Sequence, residues 1–182
     1  MTVPFDRRRR IFLAAGAAAL FLSAGRSSFA ALGNPRIRSV AFDNLHTGEH
    51  LKVDYWVDGR YLQDALGAVD RVLRDFRTGE THSIDPRLLD LLVALSGRLG
   101  TREPFQVISG YRSPQTNAML HSESAGVAAH SLHMQGMAID LRVADRALSS
   151  VHAAAVSLRG GGVGYYPRSD FVHIDIGRVR YW

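Results

Sequence analysis

Cysteine is absent from the 182-residue chain, which excludes a disulfide framework, a thiolate metal site and a lipidated cysteine anchor. Any metal would have to rest on His, Asp or Glu side chains. An oxidising compartment would do such a chain no harm. Long apolar runs are equally scarce: the most apolar stretch, residues 11–22, is too short for a comfortable membrane span. No internal repeat or low-complexity block follows it, and the length leaves room for one ordinary domain.

A basic surface is lacking too, once the first thirty residues are set aside. Arg7 to Arg10, the apolar run and the small residues Ser28 and Ala30 make residues 1–30 a targeting segment cut after Ala30. Within it, Arg9-Arg10-Ile11-Phe12-Leu13 resembles the twin-arginine export signal. The alternative is an uncleaved membrane anchor, which the short apolar stretch and its polar exit disfavour. The segment holds Arg7, Arg8, Arg9, Arg10, Arg26 and Asp6, so the formal charge of +5 falls to about +1 without it. No basic stripe with interleaved aromatics remains to follow a phosphate backbone, which argues against nucleic acid as a partner. The expected division is a leader at 1–30, a short segment at 31–39 and one domain at 40–182, exported and with no stable membrane span after cleavage.

In that domain, residues 40–45 and 51–57 read as strands joined by the turn-forming His46-Thr47-Gly48-Glu49. Apolar residues at helical spacing predict an amphipathic helix over 61–76. Asp85-Pro86 predicts the start of a second, with Asp85 as cap and Pro86 in the donor-free first turn, running to Gly100. A short buried strand at 105–109, a brief helix around 116–120 and a polar, mobile loop from His121 to Ser131 come next. Then come a strand at 136–143, an alanine-rich helix at 144–158, a glycine break at 160–162 and closing strands near 163–166 and 171–176. The architecture expected is α+β, with helices packed on a small antiparallel sheet.

The informative segment is Ser131-Leu132-His133-Met134-Gln135-Gly136-Met137-Ala138-Ile139-Asp140, followed much later by Phe171-Val172-His173-Ile174-Asp175. Two imidazoles and a carboxylate make a three-ligand zinc set with a position left for water. An open position of that kind serves hydrolysis, because the cation activates water and polarises a carbonyl. Singly, each residue has a structural explanation, since lone histidines and strand-end aspartates are common in folded domains.

The pattern S-x-H-x-x-G-x-A-x-D with a distant H-x-D resembles the zinc D-alanyl-D-alanine peptidases, whose fold is shared with the Hedgehog signalling domain. Within them the chain is most similar to the YcbK-like murein endopeptidase branch. That similarity runs from Phe42 to Trp182 through Asn44-Leu45-His46-Thr47-Gly48-Glu49, Ile84-Asp85-Pro86-Arg87-Leu88-Leu89, Ser109-Gly110-Tyr111-Arg112-Ser113 and Gly177-Arg178-Val179-Arg180-Tyr181-Trp182. The resemblance implies a Hedgehog/DD-peptidase-like fold and makes His133, Asp140 and His173 the ligands of a zinc ion. It sets Arg112 facing a substrate carbonyl or carboxylate, where a guanidinium fork stabilises negative charge, with Ser131 beside it on the substrate side. The plainer role for Arg112 is a surface salt bridge. Two carboxylates compete as general base: Asp170, three positions before the last histidine as in several relatives, and Asp175, which shares a strand face with His173. Asp175 serves equally as a partner orienting an imidazole.

His121 and His130 read as solvated loop residues, and His46, His50, His82 and His152 have no evident partner. Trp182, Tyr165, Tyr166 and Phe171 read as closing the core, and Gly160 to Gly164 as a turn near the site. The function implied is zinc-dependent hydrolysis of peptide cross-links in peptidoglycan, with muropeptides as partners. Two alternatives stand beside it: a D,D-carboxypeptidase trimming pentapeptide stems, and a zinc-bearing cell-wall-binding module without turnover.

Overall fold

A computed structural model describes Met1, residues 36–124 and 126–182. Apart from Met1, the leader at 1–30 lies outside the described residues, as does most of the expected segment at 31–39. Among the described residues, no helix is long and apolar enough to cross a membrane.

The architecture is α+β. Its strands are β1 (Ile37–Asn44), β2 (His50–Val57), β3 (Arg60–Tyr61), β4 (Phe105–Ser109), β5 (Ala138–Val143), β6 (Gly162–Tyr166), β7 (Phe171–Asp175) and β8 (Arg180–Tyr181). The helices are α1 (Gln63–Val72), α2 (Pro86–Leu99), α3 (Pro114–Glu123) and α4 (Leu148–Leu158). The strands form one eight-stranded sheet in the order β3-β2-β1-β4-β5-β7-β6-β8, larger than the small sheet expected. It is mixed, because β1 pairs with β4 and β6 with β8 in parallel while the other neighbours run antiparallel.

The helix signals in the sequence are those the backbone uses. Asp85 accepts a hydrogen bond from the Arg87 amide, Pro86 begins α2, and Gly100 closes it in the left-handed region at φ 62°. Leu88, Leu92 and Leu95 then lie one helical turn apart and are fully buried. Helix α1 is shorter than its apolar periodicity suggested, because Tyr61 pairs with Trp56 as part of β3. Helix α3 is longer, since Ser113 caps it through the Thr116 amide and Pro114 sets its first turn. It absorbs residues 121–123 of the expected loop. Gly136 is a turn residue outside β5: its φ is 64°, and a Cβ there would lie 2.2 Å from the Ser83 carbonyl oxygen.

Strand alternation decides which face is which. Ile139 and Leu141 of β5 and Val172 and Ile174 of β7 are buried in the hydrophobic cluster with the leucines of α2 and with Val151 and Ala155 of α4. The residues between them, Asp140 and His173, therefore point to the other face, where the register sets them directly opposite each other.

The cover of that second face is anchored by Asp75, which is 1% exposed. Its carboxylate accepts from the Ser113 amide at 2.9 Å, the Ser113 hydroxyl at 2.7 Å and the Arg77 amide at 2.9 Å. Beside it, the Tyr111 amide donates to the Leu73 carbonyl at 2.7 Å. The turn 110–113 is thereby fixed to the end of α1. Burial pushes the Asp75 pKa up, but hydrogen bonds from Thr116, Ser113 and the Arg77 amide outweigh it and lower it to about 2. Asp75→Ala should destabilise the fold by about 2 to 4 kcal/mol in urea unfolding, because it leaves buried donors unmet. In the parent protein, the contribution of the depressed Asp75 should be complete above about pH 4 and lost as pH falls through about 2; an acid titration of stability that shows no difference from the variant would contradict this.

Candidate functional site

Two neighbouring segments and a third far along the chain meet over β5 and β7. Asp140 comes from the middle of β5 and His173 from β7, while His133 stands on a 3-10 turn, Leu132–Gln135, that leads into β5. One atom from each lies within 4.8 Å of the others. His173 Nδ1 is 2.8 Å from Asp140 Oδ1, His133 Nε2 is 3.2 Å from the same oxygen, and the two ring nitrogens are 3.2 Å apart.

The outer atoms of the two imidazoles are already committed. His133 Nδ1 donates to the Gly110 carbonyl at 2.7 Å, and His173 Nε2 to Asp175 Oδ2 at 3.0 Å. Each of these contacts orients its ring, so that in the neutral imidazole the inward nitrogen is the one left to act as a lone-pair donor. With an adjacent carboxylate oxygen, the set matches the chemistry of a zinc site closed on three sides. Among the described residues no other group of three His, Asp or Glu converges in this way.

The electrostatics follow from burial. Burial by itself would raise the Asp140 pKa, but the charge and hydrogen bonds of His133 and His173 outweigh it and hold the carboxyl well below the usual range. Burial would lower the His173 pKa, yet Asp140 and Asp175 overcome it and raise it to about 9. Arg112 completes the ring: its Nη2 is 3.6 Å from Asp140 Oδ2 and its side chain is 11% exposed. Burial pulls its pKa down against the opposing pull of Asp140, and its buried Nε finds no acceptor among the described residues. Asn117 stands between this arginine and the following loop, with Oδ1 3.5 Å from Arg112 Nη1 and Nδ2 donating at 3.1 Å to the carbonyls of Ala128 and Ala129.

The two candidate bases sit in unlike places. Asp175 is fully buried and both its oxygens are engaged. The amides of Gly162 and Gly177 donate to it at 3.0 and 2.8 Å, and Arg180 forms a two-pronged pair at 3.1 and 2.7 Å, in addition to His173. Burial works to raise its pKa, and these donors hold it well below the ordinary range. Asp170 lies in the turn between β6 and β7 at φ 55°. Its exposed side chain pairs with Arg142 and borders a separate hollow with Gln106 and Leu148. Ser131 accepts from the His133 amide at 3.4 Å and caps the 3-10 turn; it also lines the cleft that opens onto the cluster, with its O–H still free to donate among the described residues.

A cleft of about 320 Å³ opens onto the cluster, lined among others by Arg112, His130, Tyr166, Phe171 and Trp182. A larger cavity of about 590 Å³ between β2 and α1, lined by Glu49, His50, Asp64 and Arg71, lacks any such convergence, so chemistry and not size selects the cleft. Only Tyr165 of the four aromatics expected to close the core does so, tilted against His152 of α4. The other three face the cleft; strand alternation along β6 and β7 could have indicated this for Tyr166 and Phe171, but not for Trp182, which follows β8. His46 stacks on Phe76 and His82 on Tyr111. His50 pairs with Asp43, and His121 donates to the Val127 carbonyl.

Residues 33–182 match the sequence model of the family described as peptidoglycan L,D-endopeptidase MepK. The chain is 49% identical over 180 residues to the peptidoglycan L,D-endopeptidase MepK of Escherichia coli K12, covering 98% of each. It has the same identity and coverage with the protein of that name from Shigella flexneri. With the probable peptidoglycan L,D-endopeptidase MepK of Haemophilus influenzae it is 41% identical, over 97% of this chain and 96% of that one.

The contrast between the two carboxylates is measurable. Asp175→Ala should cost about 3 to 5 kcal/mol, because Arg180 and two amides lose a buried partner. Asp170→Ala, which removes an exposed pair, should cost less than about 1 kcal/mol. Chemical denaturation of both variants checks the order, and equal losses would refute it.

Proposed function

Because the chain belongs to the peptidoglycan L,D-endopeptidase family whose sequence model it matches, we propose that it is a zinc-dependent hydrolase of peptide cross-links in peptidoglycan. The observation that supports this most is the convergence of His133, Asp140 and His173 at the floor of an open cleft. In this reading those three hold the ion through His133 Nε2, His173 Nδ1 and an Asp140 oxygen. When bound, zinc supplies Lewis acidity that polarises a carbonyl and activates water at neutral pH.

The remaining residues bind and orient. Arg112, poorly hydrated and beside Asp140, offers its guanidinium to the carbonyl oxygen or carboxylate of the peptide, where developing negative charge needs a donor. Asp175 is assigned to holding the His173 ring, since five donors already occupy its two oxygens. Asp170 is assigned no part in the reaction, its carboxylate being turned to Arg142. Ser131 acts through His133, by capping the turn that carries it. The bond proposed is the amide between an L-centre carbonyl and a D-centre amine, the class named for the relatives.

Purified protein should carry near-stoichiometric zinc by elemental analysis and release monomers from defined cross-linked muropeptide dimers. His133→Ala and His173→Ala should lose both properties, and Asp175→Asn should lower metal affinity or activity by about 10 to 100-fold. Asp170→Ala should stay near the parent. Removal of only a terminal D-alanine from pentapeptides would favour the carboxypeptidase, and binding of sacculi without cleavage would favour the non-catalytic module.

The export reading rests on the leader motif. Replacing Arg9 and Arg10 together by Lys should leave a full-length precursor in the cytoplasm, while the parent is found in the periplasm beginning at Ala31. Immunoblotting of cell fractions distinguishes these, and unchanged export of the double variant would remove the twin-arginine assignment.

A further inference from the structure

Resting on the function proposed above, we infer that Trp182 is a substrate-contacting residue, whose indole forms the apolar wall that seats the methylene chain of the diamino acid in the cross-link. Nothing in the residue pattern signals this, because a tryptophan close to a strand reads as core. Trp182 is nonetheless 48% exposed, and it lines the same cleft as His133, Asp140 and His173.

The indole is held as a fixed surface. Its N–H donates to the Tyr166 hydroxyl at 2.7 Å, its ring centroid lies 5.3 Å from that of His173, and the Arg180 guanidinium sits 4.9 Å from its centre. Its backbone is pinned to β6, with the Trp182 amide donating to Val163 and its carbonyl accepting from Tyr165. Gly164 makes the room, since a Cβ there would come within 2.7 Å of the indole carbons. Tyr166 stacks on Phe171 at 4.6 Å and extends the wall. A large aromatic kept half exposed, with its polar atom already satisfied, offers contact area at little entropic cost, as binding surfaces do.

The chemistry of the cleft selects what this wall meets. Its floor is polar and charged, with Asp140, two imidazoles and Arg112, so the reacting amide and a neighbouring carboxylate belong there. A peptide cross-link needs a residue with a second amine, and that amine is carried on methylenes, an apolar segment a few bonds from the amide. The wall touching His173 lies within that distance of the floor. Packing methylenes on an indole face removes apolar surface of both from water.

The protein has two tryptophans, and Trp56 is in β2, away from the cleft, so a W56F variant reports on Trp182 alone. Chelator-treated W56F protein titrated with purified cross-linked muropeptide dimer should show a saturable change in tryptophan emission. With zinc restored, W182A should raise KM about tenfold while kcat stays within about threefold, with zinc content unchanged, and W182F should recover most of the loss. A KM equal to the parent in folded W182A, or a flat emission titration while the parent cleaves the dimer, overturns the inference. If W182A fails to fold, the W56F titration decides alone by the same two outcomes. Saturable emission in a protein that cleaves no muropeptide would sink the proposed hydrolysis and leave the wall as a binding surface. Concentration-dependent self-association abolished by W182F or W182A would make the wall an interface between copies and overturn its role with substrate.

Discussion

The Asp140 carboxylate is the group around which the site is organised. It sits on the central strand β5 with a side chain 8% exposed, where an isolated charge would be costly enough to protonate. It stays ionised because His133, His173 and Arg112 face it from three different segments. The requirement is mutual: the same burial that makes the carboxylate expensive makes two inward-facing imidazoles and a guanidinium expensive without it. Removing any one member leaves the others buried and mismatched, so the cluster persists only while β5, β7, the 3-10 turn and the 110–113 turn are all in place.

That dependence explains how distant parts of the fold bear on one small cleft. Strand alternation gives β5 and β7 two characters, with Ile139, Leu141, Val172 and Ile174 sealed against α2 and α4 and the polar residues between them turned outward. The apolar face fixes the register, and the register sets Asp140 opposite His173. Asp75 performs the matching task on the other side of the cleft, tying the turn that bears Arg112 to the end of α1. The Gly110 carbonyl of that same turn accepts from His133. One anchored turn therefore positions both the arginine and the first histidine.

Much of this was legible in the residues. The Asp85 cap, Pro86 and Gly100 mark α2, because capping chemistry is local and needs no partner elsewhere in the chain. The His133, Asp140 and His173 set was legible for a different reason: its motif and spacing are specific together. What escaped was non-local. The strands β3 and β8 are two residues long and carry no period of their own, and the parallel pairing of β1 with β4 spans some sixty residues of intervening chain. Asp75 looks like any other aspartate until Ser113 closes on it. Trp182 looks like core until β6 and β8 pair and leave its indole beside the cleft.

The two carboxylates near the last histidine show where pattern gives way to bookkeeping of lone pairs. Alternation correctly sets Asp175 on the His173 face, and by that criterion alone it is the better base. A proton acceptor needs an unoccupied lone pair within reach of the reacting water, however, and Asp175 has two amides, a guanidinium and an imidazole on its two oxygens. Its depressed pKa is the electrostatic expression of the same crowding. A carboxylate so strongly held as an anion is a poor recipient of a proton and a good clamp for an imidazole, because it fixes both the ring's plane and the nitrogen it presents inward. Face and distance select the candidates, and the number of donors already bound to each oxygen separates a positioning residue from a reacting one.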